Sequence, residues 1–170
     1  MAKVQSLSGK HIAILGCGKI GETLLAGMLD AGIVEPKHVT ATAAHRERCD
    51  ALTKKYGVHA TVHNGDAVKK ADVVIVAVKP QVVRAMLEEI GPGLKTKQLL
   101  ISVAASVTTK HIADWTQRPV AIIRAMPNTP CSVRAGMTTL VSGPGAGPEH
   151  LKAALDIFST IGRVLTVDEK

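Results

Sequence analysis

Gly16, Gly18 and Gly21 stand in the order GxGxxG at the point where one hydrophobic pattern gives way to another. The apolar run Ile12, Ala13, Ile14, Leu15 stops at Gly16-Cys17-Gly18, and from Ile20 apolar residues recur at helical spacing through Leu24, Leu25, Met28 and Leu29. This is the order strand, tight turn, helix, and the chemistry it offers is anion binding. The first glycine makes the turn, the second lets backbone approach a pyrophosphate, and the third lets helix pack closely on strand. The helix N-terminus, from Lys19 and Ile20 onward, turns N–H groups toward the phosphates. A purely structural glycine turn is the alternative, but the strand-to-helix context favours a dinucleotide. Gly32 follows the last helical turn and suits a C-terminal cap.

A second group of polar residues follows the next strand, expected over 38–43. A site for NAD wants a carboxylate about 20 residues beyond the glycines, to accept from the ribose hydroxyls. Here the chain reads Thr42-Ala43-Ala44-His45-Arg46-Glu47-Arg48. With no acid at the tip, Thr42, His45, Arg46 and Arg48 suit a 2′-phosphate, so NADP(H) is the preferred cofactor and NAD(H) a possible one. The alternative is that Arg46, Glu47 and Arg48 are only the solvated first turn of a helix. A third group, Val78-Lys79-Pro80, ends the most apolar stretch of the chain, 71–78, where an open α/β sheet places its ligands. Pro80 fits the first position of a helix running to Ile90.

Other reactive residues carry less. His59 and His63 share a face without a third ligand, so no metal site is expected. Cys17, Cys49 and Cys131 are odd in number and far apart, which suggests neither a disulfide framework nor a zinc knuckle. Cys17 at a helix N-terminus could carry a depressed thiol pKa, although a small residue filling a glycine turn explains it as well. No Ser/His/Asp arrangement or pair of carboxylates supports another reaction.

The elements that position these groups can be read in order. A helix is expected over 46–56, ended by Gly57, then a short strand over 58–62. Asn64 is expected to cap a brief helix reaching Lys70. Strands follow over 71–78 and 99–103, with Gly91-Pro92-Gly93 as the break before the latter. Small residues then run Ser102-Val103-Ala104-Ala105-Ser106, where a ligand could come close to the backbone. Thr108 caps a helix carrying Ile112 and Trp115, a sixth strand covers 120–125, and Met126-Pro127-Asn128-Thr129-Pro130 forms a stiff loop. A strand over 136–142, an amphipathic helix over 149–161 and a strand over 163–167 complete the pattern. The expected fold is α/β: a mostly parallel sheet of about eight strands with helices on both faces, one domain over 11–168 behind a leader of residues 1–10.

The composition agrees with that layout. Hydrophobic residues make up 46% of the 170, with one Trp, one Tyr and one Phe, so the core is built of Val, Ile, Leu and Ala, as a buried parallel sheet requires. A net charge of +7 favours anionic ligands, but lysines and arginines are scattered and few aromatics could stack a base, which argues against nucleic acid. The start MAKVQSLSGK lacks an apolar signal core and no run is long enough for a bilayer span, so no membrane partner is expected and a cytoplasmic location fits.

Taken together, ILGCGKIGETLLAGML, VAVKPQ, SVAASVT and RAMPNTPCSVRAGMTTL resemble the N-terminal half of the pyrroline-5-carboxylate reductase family over residues 11–168. The resemblance implies a Rossmann-type domain for NAD(P)H, followed in the family by a helical domain that dimerises and completes the active site. It implies reduction of 1-pyrroline-5-carboxylate to L-proline, the last step of proline synthesis. It places Gly16, Cys17, Gly18, Lys19, Ile20 and Gly21 at the pyrophosphate and Thr42, His45 and Arg46 at the adenosine ribose or its phosphate. Val78, Lys79, Pro80, Ala104 and Ala105 would approach the nicotinamide, and Asn128 would position cofactor or imine. The catalytic residues, the substrate pocket and the homo-oligomer contacts would belong to the helical domain, absent from this chain, which alone would be inactive. Ala43-Ala44 replaces an Asn-Arg pair usual in the family, and Ser106 replaces a glycine. Two alternatives remain: a related Rossmann oxidoreductase acting on a hydroxy acid or a deazaflavin cofactor, and a stand-alone NAD(P)-sensing module.

Overall fold

The computed structural model describes residues 5–128 and 135–168. Among these residues eight strands form one sheet in the order β3-β2-β1-β4-β5-β6-β7-β8. They are β1 (Ile12–Leu15), β2 (Val39–Thr42), β3 (His59–Thr61), β4 (Val73–Val76), β5 (Leu99–Ser102), β6 (Ala121–Pro127), β7 (Gly136–Ser142) and β8 (Gly162–Val167). The six strands from β3 to β6 are parallel, β7 runs antiparallel to β6, and β8 is parallel to β7. This is the expected Rossmann-type layout, and its order reverses between β1 and β4.

Among the described residues six α-helices cover the two faces: α1 (Lys19–Asp30), α2 (Arg46–Tyr56), α3 (Asn64–Lys69), α4 (Pro80–Ile90), α5 (Thr109–Thr116) and α6 (Pro148–Phe158). Alternation along the strands divides the core. Ile12, Ile14, Val73, Ile75 and Ile123 point to one side and meet Leu24, Leu25 and Met28 of α1, Leu52 of α2, and Ile157 and Phe158 of α6. Ala13, Leu15, Val74, Val76 and Ile122 point to the other and meet Val68 of α3, Val83, Leu87 and Ile90 of α4, and Ile112 of α5. A fully buried Leu or Ile contributes about 2 kcal/mol by area removed from water, so these two layers hold the sheet between the helices.

The ends of the helices follow from local chemistry. After α1, Gly32 takes φ +67°, its N–H donating to Leu29 O at 3.0 Å, and Ile33 N–H donates to Met28 O at 3.2 Å. This closes the helix with the Schellman pair of bonds. Gly57, φ +70°, ends α2, and Pro80 opens α4. Thr108 Oγ1 accepts from His111 N–H at 3.2 Å to cap α5. Three expectations need correction. Met126 and Pro127, expected in a loop, end β6 and pair with Thr139 and Thr138 of β7. Asn64 does not cap α3 but is its first residue, His63 standing at the cap without a side-chain bond. Helix α6 ends at Phe158 rather than Ile161, because the chain turns through Ser159 and Thr160 into β8. Within residues 1–10, Leu7 is buried in the α1–α6 layer, and Ser6 Oγ donates to Asp156 of α6.

Candidate functional site

Because β1, β2, β4, β5 and β6 run in parallel, the residues that follow them all gather at one edge of the sheet, at the point where strand order reverses. Open α/β sheets bind ligands in that crevice. A cleft of about 460 Å³ occupies it here, lined by Gly18, Lys19, Ile20, Thr23, Ala77, Val78, Lys79, Val103, Pro127 and Asn128. A hollow of about 650 Å³ elsewhere, lined by Thr109, Ser142, Gly143, Val167 and Asp168 among others, contains no glycine-loop residue.

The three glycines have separate structural reasons. Gly16 has φ +74°, and a Cβ there would overlap Val78 Cγ1. At Gly21, a Cβ would meet Ile14 Cγ2 at 3.2 Å and Ala77 Cβ at 3.5 Å, which is the close approach of α1 to the sheet. Gly18 differs from both: its φ is −85°, and a Cβ would meet nothing nearer than Gly16 O at 3.9 Å. Nothing in the chain's own packing requires glycine there. The absent side chain leaves space beside the first turn of α1, where the N–H groups of Lys19 and Ile20 have no preceding helical carbonyl to bond.

The turn itself is held from below by Thr42. Its carbonyl accepts Cys17 N–H at 2.6 Å and its Oγ1 accepts Gly16 N–H at 3.1 Å. The hydroxyl in turn donates to Asn64 Oδ1 at 2.6 Å, and Asn64 Nδ2 donates to the Glu89 carboxylate at 3.3 Å. Thr42 is 1% exposed, so its expected contact with ribose or phosphate is corrected to support of the glycine turn. Cys17 is corrected in the same sense. Its amide is taken by Thr42, its side chain is 1% exposed, and burial pushes its thiol up to about 12, against the depressed value a reactive cysteine needs.

Of the residues expected at a cofactor, the cleft brings together Gly18, Lys19, Ile20, Val78, Lys79 and Asn128. Exposed His45 and Arg46 begin α2 beyond the other side of the turn, next to the end of β2. Pro80 is exposed as the first residue of α4 and does not line the cleft. Neither do Ala104, which is buried with its N–H donating to Ser102 Oγ at 3.3 Å, and Ala105; Val103 takes that place. Asn128 sits where β6 and β7 part: its N–H donates to Met137 O at 3.1 Å and its Oδ1 accepts Met137 N–H at 2.9 Å. Thr129 and Pro130 lie outside the described residues, as does Cys131.

Sequence reading missed Thr23, Ala77 and Pro127 as lining residues, and had Val103 only within the run of small residues where a ligand could come close. They line the cleft by position alone, one helical turn or one strand end from residues of recognisable chemistry. Ser106 takes φ +61°, the left-handed region, which accounts for a preference for glycine at that place. His59 and His63 are exposed, and among the described residues no group of three His, Cys, Asp or Glu could hold a metal. Among those residues, too, no helix is long and apolar enough to cross a membrane.

A family model described as NADP oxidoreductase, coenzyme F420-dependent, matches residues 11–106. A pyrroline-5-carboxylate reductase of Methanosarcina acetivorans is 32% identical over 96% of this chain and 60% of its own length. That of Escherichia coli is 33% identical over 94% of this chain and 60% of its own. This chain therefore spans about three fifths of the length of the curated relatives it matches. Among solved structures, a pyrroline-5-carboxylate reductase from Coxiella burnetii superposes with a TM-score of 0.90 at 34% identity, over 95% of this chain and 60% of that one.

Proposed function

Because this chain belongs to the family described as NADP oxidoreductase, coenzyme F420-dependent, we propose that it is the cofactor-binding domain of a pyrroline-5-carboxylate reductase. In this reading it binds NADP(H) in preference to NAD(H) for the reduction of 1-pyrroline-5-carboxylate to L-proline. The observation that carries the binding reading is the open position at Gly18 beside the first-turn amides of α1. The whole-chain likeness to curated reductases supports the reaction. A structure of Plasmodium falciparum pyrroline carboxylate reductase, alike in fold at a TM-score of 0.82, has NADP bound.

The amides of Lys19 and Ile20 would meet the pyrophosphate, Gly16 and Gly21 would set the turn and the seat of α1, and Cys17 and Thr42 would hold them in place. His45 and Arg46 would face the adenosine ribose and its phosphate. Val78, Val103, Pro127 and Asn128 would enclose the nicotinamide, with Lys79 at the mouth and Pro80 and Ala104-Ala105 behind. Bound there, the nicotinamide supplies the hydride; the chain's residues bind, orient and exclude water. A pocket for the substrate carboxylate and the homo-oligomer contacts would come from the two fifths of the relatives that this chain does not match. A cytoplasmic location belongs to this reading. The deazaflavin alternative draws on the family match, which stops at residue 106, short of the Met126-Pro127-Asn128 segment.

Calorimetric titrations of this chain with NADPH and with NADH test the proposal. Binding of both, NADPH more tightly, is expected; binding of neither overturns it.

A further inference from the structure

Glu22 lies in the first turn of α1, and three groups of α2 converge on its carboxylate. Arg48 Nη2 forms an ion pair with Oε2, while Lys55 Nζ and Tyr56 OH donate to Oε1 at 2.8 and 2.7 Å. Arg48 is held from a second direction, its Nε donating to Cys17 O at 3.3 Å. Its guanidinium therefore faces back over the glycine turn with its charge matched. Arg46, one helical residue from the end of the β2 loop, is exposed and makes no ion pair or side-chain hydrogen bond among the described residues. The bonds from Lys55, Tyr56 and Arg48 hold the Glu22 carboxyl down to about 2, so it is ionised throughout the neutral range.

We propose that Glu22 sets the preference between dinucleotides with and without a 2′-phosphate, by withholding Arg48 from that phosphate and leaving Arg46 to read it. The inference rests on the dinucleotide reading given above. Two cations share one carboxylate in this cluster, so the ion-paired group of Glu22, Arg48 and Lys55 carries a single net positive charge. With glutamine at this position the charge of Arg48 is no longer matched, and Arg48 loses the ionised partner that turns it away. A guanidinium fork suits a phosphate better than any other side chain does. Glu22 thus restrains a selectivity that the sequence would otherwise push further toward NADPH, and keeps NADH usable.

The ratio of NADPH to NADH affinity, measured by calorimetric titration of the whole chain at low ionic strength, reads this directly. Glu22→Gln is expected to raise the ratio about fivefold or more, chiefly through NADPH, and Glu22→Gln with Arg48→Met to return it to within about twofold of the original. An unchanged or lowered ratio in Glu22→Gln overturns the proposal. If Glu22→Gln does not fold, Arg48→Met alone decides: a change below about twofold is expected, and a fall of about tenfold would show that Arg48 already reads the phosphate. Failure of the unsubstituted chain to bind either dinucleotide is a different result, and it removes the underlying reading together with this one.

Discussion

A side chain at Gly16 and the side chain of Val78 would claim the same space: a Cβ on Gly16 overlaps Val78 Cγ1 and lies 3.3 Å from Val78 Cβ. The turn after β1 and the segment after β4 are thereby packed against each other at the edge of the cleft. Gly16→Ala is expected to destabilise the chain by about 2–4 kcal/mol, combining overpacking with the left-handed φ of +74°. Urea unfolding measures it. Val78→Ala in the same chain should recover the overlap but not the roughly 1–2 kcal/mol of backbone strain; a loss below about 1 kcal/mol for Gly16→Ala would contradict the packing.

Gly18→Ala should separate stability from binding. Nothing within 3.9 Å resists the added methyl and φ is negative, so unfolding is expected to change by less than about 1 kcal/mol. NADPH affinity should fall at least about tenfold, or 1.4 kcal/mol, because the methyl occupies the approach to the first-turn amides. Undiminished affinity would sink the assignment of this turn to phosphate.

Ser106 is strained at φ +61°, and Ser106→Gly is expected to stabilise. Relief of about 1–2 kcal/mol of left-handed strain is offset by the larger entropy of an unfolded glycine, about 0.4–1 kcal/mol. The net is about 0.5–1 kcal/mol, a rise of about 1–4 °C in Tm by calorimetry. A fall in Tm would mean that the serine side chain makes a compensating contact.

Acid should weaken the α1–α2 junction in a defined window. The folded pKa of Glu22 is lowered to about 2 from 4.5, so its contribution is complete above the unfolded value and is lost as pH falls from about 4.5 to about 2. Arg48 and Lys55 are 38% and 64% exposed, and solvent screening holds that contribution to about 1 kcal/mol. The stability difference between the chain and Glu22→Gln, by urea unfolding at a series of pH values, should be constant above pH 5 and shrink below pH 4.5. A difference that stays constant to pH 2.5 would show that the carboxylate is not what matters.

Elements bounded by strong local chemistry are the ones legible in sequence. The spans 46–56 and 80–90 coincide with α2 and α4 because Gly57 and Pro80 admit few alternatives at a helix end and start. The glycine turn and the central strand are equally plain. The place of Asn64 is not legible locally, because its side chain is held by the hydroxyl of Thr42, 22 residues away, and no local pattern carries that contact. The same bond hides the role of Thr42 itself, whose residue type and position suit a ribose contact until its burial is known. Arg48 looks like a phosphate ligand in a charge count, and only the fold brings Glu22 and Cys17 O to it.

The two bonds from Thr42 to the glycine turn also bear on how a ligand is met. Ordering a backbone residue costs about 1–2 kcal/mol of entropy, and at Gly16 and Cys17 that freedom is already lost on folding. The turn is a preformed mould, so association needs no rearrangement on that wall and little of the interaction energy goes into ordering it. In the proposed site this wall would be set before the dinucleotide arrives, and any adjustment to it would fall to the facing side, around Lys79 and Asn128.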